Sequence, residues 1–233
     1  MRVGVVLPTF ERSADRALDA ACEAERAGLH GVFAYDHLWP MGQPGRPAIS
    51  PYPLLGAVAS RTTRVALGTL VARVGLVPDD VLVRELLTLQ VVSAGRAVVA
   101  VGTGDSKSAA ENRAYGVAFE APRRRRERLG AVVASLRRAG VPTWVGGGSE
   151  ATDAVARSTG AALNLWGATP GIVAAAARSG EVTWAGSLPG DPGDAAALLA
   201  ALGRAGASWA VLGWPGSCGP IVAAASTAGF ALG

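Results

Sequence analysis

Cysteine and histidine are almost absent from this chain, with two of each in 233 residues. Cys22 and Cys218 stand far apart, without the paired spacing of a zinc site or the density of a disulfide framework. A reduced, cytoplasmic compartment and no metal site are therefore expected. Long apolar runs are missing too. None approaches the roughly 20 residues that a membrane-crossing helix needs. The run after Met1-Arg2 is only five residues long, short for the apolar stretch of a secretory leader. Aromatic residues make up 6% of the chain. The net charge of +4 comes largely from Arg123-Arg124-Arg125-Arg126 and Arg128. Leu129, Val132, Val133 and Leu136 follow at helical spacing, so this run reads as a solvated helix start above an apolar face. With no aromatics interleaved among the basic residues, neither nucleic acid nor membrane is an expected partner.

What the chain has in quantity is small residues and a repeated alternation. Eight short apolar runs break off into Gly, Asp, His, Trp or Pro: Val3–Leu7, Gly31–Tyr35, Val65–Leu70, Ala97–Gly102, Thr143–Gly146, Ala161–Trp166, Glu181–Ala185 and Trp209–Leu212. A mostly helical stretch links most of them to the next. A small residue plus Gly stands before many of the strands, as at Ala27-Gly28, Thr159-Gly160 and Ser179-Gly180. That is how a helix closes on a left-handed cap and releases the chain into a strand. Strands alternating with helices argue for parallel βαβ units. Eight of them in this length predict an α/β fold: one domain over residues 1–233, a (β/α)8 TIM barrel with shortened loops. Ser13 is the expected cap of the first helix. A loop through Pro53 is expected before the second, and a long polar loop after Asp105.

Such barrels work at the carboxyl ends of their strands. Asp36-His37 is the one acid–imidazole pair at such an end; the other histidine, His30, precedes the same strand and belongs to the opposite face. An imidazole at a barrel mouth exchanges protons near neutral pH. Both side chains can share a pocket only if the chain leaves regular strand geometry there. Gly102-Thr103-Gly104-Asp105 lets backbone approach a ligand. Gly146-Gly147-Gly148-Ser149, running into a helix, is a reading for phosphate, because helix N-termini offer free N–H groups. Most of the tryptophans fall at core positions, whereas Trp166 and Trp214 lie at strand ends, where they could wall an aromatic cofactor.

Several of these segments, in order along the chain, resemble the luciferase-like flavin and deazaflavin oxidoreductases. They are Tyr35-Asp36-His37-Leu38-Trp39, Thr62–Thr69, Leu89–Arg96, Val101–Asp105, Glu111-Asn112-Arg113-Ala114-Tyr115-Gly116 and Trp144–Gly147. The Asp-His step is most similar to members that use the deazaflavin coenzyme F420. The resemblance implies a tricyclic ring at the mouth among Asp36, Thr69, Leu70, Val71, Thr103 and Gly104. It also implies a non-proline cis peptide near Thr69-Leu70-Val71, with Asn112 and Trp166 further out and Gly146, Gly147 and Gly148 near a phosphate-bearing tail. His37 matches the family's active-site imidazole, and Asp105 stands where some members have a catalytic Glu. Two departures are visible. Longer relatives carry a covering insertion before the fifth strand, whereas here Arg137-Arg138 passes through Ala139-Gly140-Val141 straight into Pro142. Glu11 is offset from the acidic residue expected at the first strand end.

The expected activity is hydride transfer between F420 and a small-molecule substrate, in a homodimer. Two alternatives stand beside it: an FMN monooxygenase that uses O₂ and a separate reductase, and a trimmed flavin-binding protein without catalysis.

Overall fold

The computed structural model describes residues 1–233. All eight apolar runs become strands of one parallel sheet, in the order β3-β2-β1-β9-β8-β7-β6-β5-β4. The strands are β1 (Arg2–Val6), β2 (Gly31–Ala34), β3 (Ala66–Thr69), β4 (Ala72–Arg73), β5 (Val99–Gly102), β6 (Thr143–Gly146), β7 (Ala162–Trp166), β8 (Val182–Gly186) and β9 (Ala207–Leu212). There are nine strands for eight runs because the third stave is broken. β3 and β4 are its two halves, separated at Leu70 and Val71, whose peptide bond is cis. β3 pairs with β2, β4 pairs with β5, and a parallel bridge between Leu67 and Ala97 brings the ends of the sheet together. The result is the expected barrel.

Strand alternation divides the interior in two. Ten buried residues fill the barrel, and 48 form the layer between sheet and helices, so helix-on-sheet packing supplies most of the core. Val3 and Val5 of β1 face the helices, while Val6 faces inward. Inside the barrel three aromatic rings meet. Phe33 stacks on Trp144 at 5.2 Å, Trp209 lies 5.5 Å from Trp144, and it meets Phe33 edge-on at 5.8 Å. These rings plug the barrel from below and leave the upper end open.

The helices are α1 (Asp15–Arg26), α2 (Pro51–Arg61), α3 (Asp79–Val92), α4 (Ala109–Ala114), α5 (Pro122–Arg138), α6 (Glu150–Thr159), α7 (Pro170–Ala177), α8 (Pro192–Arg204) and α9 (Gly219–Thr227). Four expectations need correction. α1 is capped at Ala14 rather than at Ser13, whose hydroxyl bonds Asp15 one residue earlier. α2 begins at Pro51, because the ring's fixed φ and missing N–H suit the first helical position. The polar stretch after Asp105 is not a plain loop: it holds a 3-10 turn (Ser106–Ser108) and α4. Gly160 closes α6 in the left-handed region at φ 65°, as expected, whereas Gly180 does not adopt that conformation. No helix is long and apolar enough to cross a membrane.

Candidate active site

A cleft of about 650 Å³ opens over the carboxyl ends of β1 to β7. Its floor is the broken stave. Stepping off the strand line, Val71 carries its side chain across to the neighbouring staves, and a Cβ on Gly102 would lie 2.6 Å from its Cγ2. On Gly146 a Cβ would lie 3.1 Å from Val71 Cγ1. Glycine at 102 is therefore a packing requirement of the floor.

At the end of β2 the alternation of side chains persists. Tyr35 and His37 reach the cleft, but Asp36 does not line it. Asp36 is turned behind the wall, where its Oδ2 accepts from the Tyr52 hydroxyl at 3.1 Å and from the Arg73 backbone N–H at 2.9 Å. The Asp-His pair thus does not share a pocket, because consecutive residues point to opposite sides. Burial pushes the Asp36 carboxyl above the ordinary carboxylate range, with the Arg73 N–H and charge and the Tyr52 hydroxyl pulling it back. Burial also raises the Tyr52 phenol, with the Asp36 charge adding to it.

The partner of His37 comes instead from α4. Its Nδ1 lies 2.9 Å from Glu111 Oε1. Glu111, 2% exposed, also accepts the Leu38 N–H at 3.2 Å and sits 2.9 Å from the Arg73 guanidinium in a charge contact rather than an aligned hydrogen bond. Arg73, 3% exposed, is fixed by Asp36 as well, its Nε donating to the Asp36 carbonyl at 3.0 Å. Facing a cation and a backbone donor, Glu111 serves as acceptor, so the proton of His37 belongs on Nδ1. Nε2 has no protein partner.

Across the cleft, the Gly102–Asp105 segment is gripped from outside. Arg125, lying over the Phe119 ring at 4.1 Å, donates to the carbonyls of Thr103 and Gly104 at 2.8 and 2.7 Å. Asp105 lines the cleft and at the same time caps the 3-10 turn, its Oδ1 accepting from Lys107 N and Ser108 N. Gly146, Gly147, Gly148 and Ser149 line the far wall. Two observations narrow the phosphate reading. The Gly147 N–H is already donated to the Asn164 carbonyl, and a Cβ there would strike Leu163 at 2.3 Å, so Gly147 is explained by packing. Gly148, Glu150 and Ala151 donate to no other group of the protein. Ser149 caps α6 in a reciprocal box with Thr152, and the acids Glu150 and Asp153 in the first turn offset part of the helix's positive end.

Leu70, Val71, Thr103, Gly104 and Trp166 lie on the cleft as expected. Thr69 and Asn112 do not. The Thr69 hydroxyl is buried in the wall on the Ala100 carbonyl, and Asn112 holds the Ala118 carbonyl beneath α4. Trp214 packs against the outer core away from the cleft. Sequence reasoning missed Phe10, Tyr35, Met41, Arg73, Glu111 and Asn164. The position of Glu111 depends on α4, inside a stretch read as loop, and on a contact across 74 residues. Its one local signal was the Glu111-Asn112 step already noted.

A parallel (β/α)8 barrel with a ligand-sized cleft at its carboxyl rim, and a positioned imidazole there, defines a class of small-molecule enzyme scaffold. The sequence pattern of the luciferase-like monooxygenases matches residues 1–206, and the chain belongs to that family. It is similar to the F420-dependent glucose-6-phosphate dehydrogenase of Nakamurella multipartita, with 42% identity over 93 residues, 38% of this chain and 26% of that protein. The enzyme of the same name from Kineococcus radiotolerans is 32% identical over 130 residues, 55% of this chain and 38% of its own length. These matches thus span well under half of the curated relatives. The coenzyme F420-dependent tetrahydromethanopterin reductase from Methanopyrus kandleri superimposes with a TM-score of 0.76 over 96% of each chain at 13% identity, which shows a shared fold.

Proposed function

We propose that this chain is an oxidoreductase moving a hydride between coenzyme F420 and a small organic substrate. One observation carries the reading: the cleft over Val71 presents an imidazole held by a buried carboxylate, in a chain whose matched relatives are named as F420-dependent dehydrogenases. The residues present suit a flat heterocycle with an anionic tail. The cleft volume falls within the roughly 300–1,000 Å³ of ordinary ligand sites. Its floor is apolar at Leu70 and Val71, and the unengaged N–H groups of Gly148, Glu150 and Ala151 suit a phosphate.

When bound, the coenzyme supplies the carbon that accepts or returns the hydride. The protein's part is positioning and proton handling. Leu70, Val71, Thr103 and Gly104 would flank the ring, Trp166 would wall its edge, and Gly146–Gly148 would face the tail. Asp36, Thr69 and Asn112 act from behind the wall, Asp36 by fixing Arg73. With its proton on Nδ1, His37 offers the Nε2 lone pair to a substrate hydroxyl, taking a proton as an alcohol is oxidised or returning it in the reverse direction. Asp105, whose Oδ2 is unengaged, is the second proton carrier on the opposite wall.

Titrating the ligand-free protein with F420 and with FMN tests the reading. Tighter binding of F420 is expected. Tighter binding of FMN turns the assignment to an FMN monooxygenase, and binding of neither overturns it.

A further inference from the structure

The relatives are named for a substrate that carries a phosphate dianion, and this cleft is poorly built for one. Its cationic lining is limited to Arg73 and His37. Arg73 is buried and already faces Glu111, while His37 turns Nδ1 to the same carboxylate. Asp105 adds a negative charge on the opposite wall. Lys107, the chain's single lysine, stands on the neighbouring turn with its side chain outside the lining, and Arg46 is held behind Phe10 by the Phe10 carbonyl and Gln43. Desolvating a dianion without a free cation is costly. The N-terminus of α6 is the remaining anion site, and the coenzyme tail claims it in the reading above.

Apolar surface, by contrast, is plentiful and uncovered. Phe10 and Tyr35 stack nearly parallel at 5.6 Å and 14°, and Trp166 continues this wall 6.0 Å from Tyr35. Trp166 is 54% exposed and Met41 is 52% exposed. His37 stands at the edge of the wall, its imidazole 6.3 Å from the Tyr35 ring. Burial pushes the Tyr35 phenol up to about 12, so the wall stays neutral.

We infer that the substrate is an uncharged molecule with an aromatic body, an aryl alcohol or aryl ketone, laid against Phe10, Tyr35, Met41 and Trp166 with its oxygen toward His37. The inference rests on the reading of this cleft as the substrate site, and it deepens that reading.

Calorimetric titration of the protein, with and without F420, compares 1-phenylethanol with glucose 6-phosphate. The aryl alcohol should bind about tenfold or more tightly than the sugar phosphate, a factor within reach of one or two aromatic contacts. Phe10→Ala, on the loop after β1 and outside the residues assigned to the coenzyme, should remove most of that advantage while leaving glucose 6-phosphate as weak as before. Equal or tighter binding of glucose 6-phosphate would overturn the inference, and so would an unchanged preference in Phe10→Ala. F420 affinity is measured separately by its own fluorescence. A protein that prefers the aryl alcohol yet fails to bind F420 keeps this inference and loses the coenzyme assignment; one that binds F420 but prefers the sugar phosphate does the reverse.

Discussion

The two rims of the barrel use the same kinds of side chain for opposite ends. At the lower rim Glu25, Arg96 and His30 are spent mainly on backbone. The Glu25 carboxylate accepts the N–H groups of Thr63, Arg64 and Val65. Burial raises its pKa, but those three donors hold it below the usual range. Arg96 donates to the carbonyls of Ala59, Thr62 and Val65, and the His30 ring accepts the Val3 N–H at 3.0 Å. At the upper rim the corresponding groups keep something in reserve: Nε2 of His37, Oδ2 of Asp105, the N–H of Gly148. A histidine whose ring nitrogen is satisfied by backbone closes a fold. One held by a carboxylate through its other nitrogen is ready to exchange a proton.

Glu111 is where the contrast is weakest, because it serves both ends. Glu111→Gln should lower stability by about 3–5 kcal/mol, since buried Arg73 loses its countercharge. In whatever folds, nitrogen-15 NMR of the imidazoles should show His37 losing its fixed Nδ1-protonated form; an unchanged tautomer would end the case for Glu111 as its anchor. Arg96→Ala follows, with a stability loss of about 3 kcal/mol in urea unfolding, because several carbonyls lose charged donors at once. Ligand affinity should be untouched, and a matching fall in affinity would erase the division between rims. His37→Ala should do the reverse. Turnover is expected to fall by roughly 10²-fold, with a stability loss of about 1–2 kcal/mol, smaller than that of Arg96→Ala, as buried Glu111 loses one of its donors. Full activity in this variant would remove His37 from the chemistry.

The smallest effect belongs to His30. Burial, with the charges of Arg2 and the N-terminus, holds its pKa below 6.5 in the folded chain. As pH falls through and below about 6.5, the unfolded chain takes up a proton that the folded one refuses, so this contribution to stability is present at neutral pH and lost on acidification. His30→Gln should flatten that part of the stability–pH curve; an identical slope in both proteins would contradict the assignment.

The staves are legible in the sequence because each is a short apolar run ended by Gly, Pro or a polar step, and the lower-rim motifs Thr62–Val65 and Ala94–Arg96 sit where such runs begin. The upper rim is only half legible. Gly146–Gly148 and Asp36-His37 announce themselves as composition, yet composition does not say which way a side chain turns. Asp36 faces away from the cleft because strand alternation carries past Ala34, and Gly147 answers to Leu163 rather than to a ligand. Phe10, Tyr35 and Trp166 form a wall only once three distant strand ends converge. Arg73 belongs to the short second half of a stave that reads as one strand, and Glu111 to a helix too short to show a period.

The step in the third stave has an evolutionary corollary. Val71 fits because nothing stands on Gly102, so a methyl group at 102 is acceptable only if the valine shrinks. Positions 71 and 102, with 146 more loosely attached, should therefore change together across descendants of this chain. A library that varies them one at a time will recover mostly broken proteins, where one that varies them jointly will find reshaped floors.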